Sequence, residues 1–154
     1  MKSTILNNIK NNQYFFFIAV FIVLFKNSFS PDWWVGMYGI DQWLYWGSAQ
    51  NLEYYTSHFS DTYYLRRWTS IFPIYIFQKI FTPGYAWYFL SNLSLFVTLF
   101  TFLKIVFRFT NDHYLGFFAA LLLIFNSYIS QRISNTHVTM IAVPLFLILF
   151  EYFF

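Results

Sequence analysis

Three stretches of this chain, residues 85–103, 114–131 and 133–150, run for 18 residues or more without a charged side chain. At 1.5 Å per residue, a helix over any of them is nearly long enough to cross a hydrocarbon layer about 30 Å thick. Water would tolerate such stretches only under a polar cover that this chain lacks. Charged residues make up 10% of its 154 residues and hydrophobic ones 58%, with 23 phenylalanines, whereas a soluble domain carries about 25% charged residues. A lipid solvent removes the difficulty, provided the backbone satisfies its own hydrogen bonds, as helices do. The expectation is an all-α fold, a polytopic membrane helical bundle. The formal net charge of +3 is small and the basic residues are scattered, which argues against a nucleic-acid partner. There are no cysteines, so disulfides and thiolate chemistry are excluded.

Residues 1–13 are polar and hold Lys2 and Lys10, and an apolar run over residues 14–25 ends at Lys26. Twelve residues are too few to span. Extending the run to residue 30, with Lys26 snorkelling to the interface, gives a first span over residues 14–30. A signal peptide is the rival reading, given the basic start, the short apolar core, Ser28 and Ser30. Against it, Pro31 follows at once and later segments span anyway. Residues 31–84 read as an outer loop with interfacial helices. Trp33, Trp34, Trp43, Trp46 and Trp68 all lie there, and tryptophan favours the headgroup layer. DQWLYWGSAQNLEYY reads as a short amphipathic helix, with Tyr45, Ala49 and Leu52 on one stripe and Gln42, Gln50 and Glu53 off it. SIFPIYIFQKIF, closed by Lys79 and Pro83, is apolar but too short to span, so it is expected to lie at the interface with Pro73 in its first turn. Further spans are expected over residues 85–106, 114–131 and 137–154, with a polar turn at TNDH and a kink at Pro144. If segment 70–81 does not cross, Lys2, Lys10, Lys104 and Arg108 fall on one side, in agreement with the positive-inside rule. The chain stops at EYFF, within or just after the last span, and reads as the N-terminal part of a longer transmembrane domain.

Metal-ligand, nucleophile and phosphate-loop motifs are absent, and His58, His113 and His137 are far apart in sequence. The remaining polar groups cluster on the outer side. Asp32, Asp41, Glu53, Asp61, Tyr63, Tyr64, Arg66 and Arg67 fall in the first outer loop, Arg132 and His137 in the second. A carboxylate can take a proton from an attacking hydroxyl, and an arginine can hold a phosphate through its planar fork. Together they suit a reaction on a lipid-linked phosphate. Plainer readings stand beside this one. Asp41 also suits a helix N-cap, Arg66 and Arg67 suit lipid headgroups, His137 suits an interfacial position, and the tyrosines suit an aromatic belt.

The order of DQWLYWGSAQNL, TYYLRRWTSIFPIYIFQKIF, LKIVFRF and FFAALLLIFNSYISQRISNTHVTM resembles the N-terminal part of GT-C superfamily membrane glycosyltransferases, of the protein O-mannosyltransferase and aminoarabinose-transferase type. The resemblance covers nearly the whole chain. It implies transfer of a sugar, hexosyl or pentosyl, from a polyprenyl-phosphate donor to a lipid, glycan or protein acceptor, on the outer face of a prokaryotic plasma membrane. By position, Asp41 matches the family's catalytic acid, Tyr63, Tyr64 and Arg67 its Tyr-Tyr…Arg stretch, and Pro73 the proline before its interfacial helix. Arg67 and Arg66 are then the donor-phosphate residues, with Arg132 and His137 lining the substrate pocket. Where the family carries a second acid before the fourth helix, this chain has NTHVTM. No metal ligand is assigned and a divalent cation is left open. The 154 residues alone are expected to be inactive. The alternative is a non-catalytic polytopic membrane protein, a transporter fragment or an assembly subunit. Transporters place ionisable groups inside their spans, and residues 85–103 and 114–131 have none.

Overall fold

The computed structural model describes residues 2–29, 40–59, 68–126 and 139–153, and the fold among them is all-α. Its helices are α1 (Lys2–Phe29), α2 (Ile40–Gln50), α3 (Leu52–His58), α4 (Trp68–Ile80), α5 (Pro83–Thr110), α6 (His113–Phe125) and α7 (Thr139–Phe153). Helix α1 starts well before the apolar run, at Lys2. No Pro or Gly interrupts its polar half, and extending a nucleated helix fixes only one residue per added hydrogen bond. The single helix expected over residues 41–55 is broken at Asn51, whose φ of −118° and ψ of 42° lie outside the helical region. Asparagine competes for backbone hydrogen bonds and favours such breaks. Helix α4 starts at Trp68, so Pro73 falls inside it rather than in its first turn.

Helix α5 runs for 28 residues and is long and apolar enough to cross a membrane. Pro83 opens it, where a missing N–H costs nothing. Helix α1 matches it in length, but half of α1 is polar. The described parts of the third and fourth expected spans, α6 and α7, are shorter apolar helices. The described residues therefore contain one helix both long and apolar enough to cross where four spans are expected; residues 127–138, between α6 and α7, lie outside them.

Helix α5 is the hub, touching α1, α4, α6 and α7. Two apolar clusters form along it. Near its start, Ala86 and Leu90 meet Tyr45, Trp46 and Ala49 of α2 and Ile71 and Ile74 of α4, with Ile141 of α7 packed against them. Farther along, Leu95, Leu99 and Leu103 meet Phe15, Ala19, Ile22 and Val23 of α1 and Ala120 and Ile124 of α6. The contacts fix the directions of the helices. Phe107 stacks on His113 with centroids 4.3 Å apart, so α5 and α6 form an antiparallel hairpin. At that same end Lys104 Nζ lies 2.8 Å from Glu151 Oε1, and Arg108 Nη1 donates to the Glu151 carbonyl at 3.0 Å. Since Ile141 lies at the other end, α7 runs parallel to α5. Tyr14 and Phe15 of α1 also pack on His113. One end of the bundle thus holds the α5–α6 turn with Lys104 and Arg108, and the opposite end holds α2 and α4. Buried Ser91, Ser94, Thr98 and Thr101 add small side chains to α5, and Thr98 Oγ1 donates to the Ser94 carbonyl at 2.8 Å, which satisfies the hydroxyl inside its own helix.

The hairpin turn is two residues long. Asn111 adopts left-handed φ of 53°, which asparagine tolerates better than most residues. The Asp112 carboxylate accepts from the Tyr114 and Leu115 amides at 2.8 and 3.3 Å, capping α6. Asp112→Ala leaves both amides without that acceptor and should lower stability by about 1 kcal/mol. Thermal unfolding in detergent checks this, and an unchanged midpoint would show the cap to be dispensable.

Candidate functional site: an aromatic platform at the α2–α4 end

Asp41 lies in the first turn of α2, one residue inside the helix rather than at its N-cap. The macrodipole favours a carboxylate in this position. One turn later begins the docking surface. Tyr45 and Ala49 are buried, as their shared stripe predicts, and Leu52 packs against the same cluster, while Gln50 and Glu53 are exposed. Trp46 and Ser48 are buried too. The buried face of α2 is thus wider than a three-residue stripe, because α4 and the start of α5 cover it together.

Helix α4 supports this platform. Ile71 and Ile74, on one helical face, are fully buried under α2. Phe72, Ile76 and Ile80 remain exposed. Lys79 is exposed, with Nζ 5.1 Å from the Tyr75 ring centroid, a favourable cation–π distance. Helix α3 buries none of its residues. Its Tyr54 and His58 rings stack at 4.4 Å, and His58 Nδ1 lies 2.8 Å from Ser57 Oγ and 3.0 Å from the Tyr54 carbonyl.

Of the expected site residues, the backbone of Asp41 is described on α2. Tyr63, Tyr64, Arg66, Arg67, Arg132 and His137 lie outside the described residues, as do Asp32 and Asp61. Among the described residues, no group of three or more His, Cys, Asp or Glu could hold a metal ion. One residue escaped the sequence reading. Gln78, on the α4 face of Ile71 and Ile74 at helical spacing, has both amide atoms buried without a hydrogen-bond partner. An unsatisfied buried amide is unfavourable by roughly 1–3 kcal/mol, so it suits a polar group arriving from elsewhere. The available signal was an amide beside Lys79 in the otherwise apolar residues 71–81.

No protein-family model matches the chain, and no curated protein or solved structure matches it significantly. The residues themselves therefore carry the functional argument.

Proposed function

We propose that the chain is the N-terminal part of a GT-C-type membrane glycosyltransferase. It transfers a sugar from a polyprenyl-phosphate donor to an acceptor on the outer face of a prokaryotic plasma membrane. Asp41 is the general base, Arg67 with Arg66 clamps the donor phosphate, and Tyr63, Tyr64, Arg132 and His137 line the pocket. The observation that carries this reading is the docked α2–α4 unit with Asp41, at the end opposite Lys104 and Arg108. We take the end with Lys104 and Arg108 as the cytoplasmic one, which puts Asp41 on the outer side, where lipid-linked donors are used.

The membrane part of the proposal draws on which side chains face outward. On α6, Gly116, Ala120 and Ile124 are buried, while Leu115, Phe118, Leu122 and Phe125 are exposed. Phe17, Phe21 and Leu24 of α1 and Leu145, Phe146 and Leu149 of α7 are exposed as well. The small Gly116 and Ala120 turned inward on α6, with large apolar side chains outward, suit a helix packed in lipid; in water such a surface would drive aggregation. Helix α4 then lies at the interface, with Lys79 toward the headgroups.

Single cysteines test the topology. A cysteine at Ser57, exposed on α3, should react with an impermeant reagent from outside, and one at Thr110, exposed beside the hairpin turn, should not. Labelling of Thr110 with protection of Ser57 would invert the topology and remove Asp41 from the donor's side. Arg67→Lys should raise the apparent KM for donor more than Arg66→Lys, because a point charge does not replace a planar fork. Equal effects would end the preference for Arg67.

A further inference from the structure

An open groove of about 430 Å³ runs between α1 and α5, lined by Asn12, Gln13, Phe16, Phe17 and Phe100. It lies toward the end of the bundle that carries the hairpin turn, since Tyr14 and Phe15 pack on His113 there. We propose that this groove is a binding site for an anionic phospholipid of the inner leaflet. Its phosphate sits at Lys10, its glycerol region at the Asn12 and Gln13 amides, and its acyl chain along α1.

The chemistry changes along α1 in the order a lipid requires. Lys10, Gln13, Phe17, Phe21 and Leu24 are spaced by three and four residues and so share one helical face. Lys10 and Gln13 are exposed, and Phe17, Phe21 and Leu24 follow at 67%, 53% and 59% exposure. A cation, an amide and a run of bare apolar side chains therefore succeed one another. From Gln13 to Leu24 the helix rises roughly 16 Å, about one leaflet of a core near 30 Å thick. The ion pair among the described residues joins Lys104 to Glu151 and leaves Lys10 without a carboxylate. The partner is specified by charge: cytoplasmic leaflets are anionic and draw juxtamembrane lysines to their phosphates. The groove supplies what a bare helix does not, a second wall in Phe100 of α5.

This inference rests on the proposed membrane reading of the chain and not on the proposed transfer reaction. The test is native mass spectrometry of the full chain released from nanodiscs of phosphatidylglycerol and phosphatidylcholine in equal parts. Phosphatidylglycerol should be retained preferentially. Lys10→Gln should reduce that preference about fivefold, the factor for about 1 kcal/mol per lysine at a membrane surface. Lys79→Gln, at the headgroup layer of the other end but outside the groove, should reduce it clearly less. A photo-crosslinker at Phe17 should attach to lipid. Equal retention of the two lipids, equal effects of the two lysine changes, or crosslinking of Phe17 to a second copy or to another segment of protein would overturn the site. Carbonate extraction of the chain into the soluble fraction would instead overturn the membrane reading itself.

Discussion

Asp41→Asn should cut sugar transfer by about 10²-fold or more, the low end for losing a general base, while expression and thermal midpoint stay close to those of the unchanged protein. The two expectations belong together because Asp41 occupies the first turn of α2. There asparagine gives up only the attraction between a carboxylate and the helix dipole, about 0.3–1 kcal/mol. An amide still accepts hydrogen bonds but does not take up the proton of an attacking hydroxyl. A purely structural carboxylate would therefore leave transfer nearly intact after the change, and a base would not. The assay uses a polyprenyl-phosphate sugar donor, and Asp61→Asn serves as the mild control from the same loop. Near-normal transfer by Asp41→Asn would reduce Asp41 to a helix-start residue.

The second large effect is expected at Tyr45, a fully buried side chain of α2. Its ring joins α2 to Ile71 and Ile74 of α4 and to Ala86 and Leu90 of α5. Tyr45→Ala removes that ring and leaves a cavity, at a cost of about 3–5 kcal/mol by comparison with other aromatic truncations in packed cores. The loss should be local, because the cluster around Leu95, Leu99 and Leu103 is built from other side chains of α5 with α1 and α6. Hydrogen exchange should therefore rise steeply in residues 40–50 and stay slow in α5 and α6. Tyr45→Phe, which keeps the ring, should change exchange much less. Unaltered protection of residues 40–50 in Tyr45→Ala would show that other contacts hold α2 in place. Since Asp41 rides on α2, transfer should fall along with docking.

Much of the framework was legible in the chain. Periodicity located α2 through Tyr45 and Ala49, the uncharged run located α5, and the apolar segment 70–81 located α4. Each is a local pattern, a stripe or a run, that survives without knowledge of its neighbours. What escaped depended on neighbours or on cooperativity. Trp46 and Ser48 are buried because two helices cover α2 at once, and no stripe within α2 contains that fact. The polar half of α1 is helical as a continuation of the apolar half, a cooperative effect rather than a propensity. The break at Asn51 has neither Gly nor Pro to announce it. Of the candidate site, the backbone position of Asp41 is described; the arginines, the Tyr63–Tyr64 pair and His137 lie outside the described residues.

The contacts of Glu151 bear on the order in which the chain comes together. Because α5 and α7 run in the same direction, they do not close as a hairpin, and Glu151 meets Lys104 and Arg108 only after α6 has crossed back between them in sequence. The α5–α6 hairpin needs only the two-residue turn at Asn111 and Asp112, with its cap supplied from within. Local contacts close faster than distant ones. The hairpin is thus the natural first assembly, and α7 is a late arrival whose carboxylate reports, by finding Lys104, that the earlier helices stand in register.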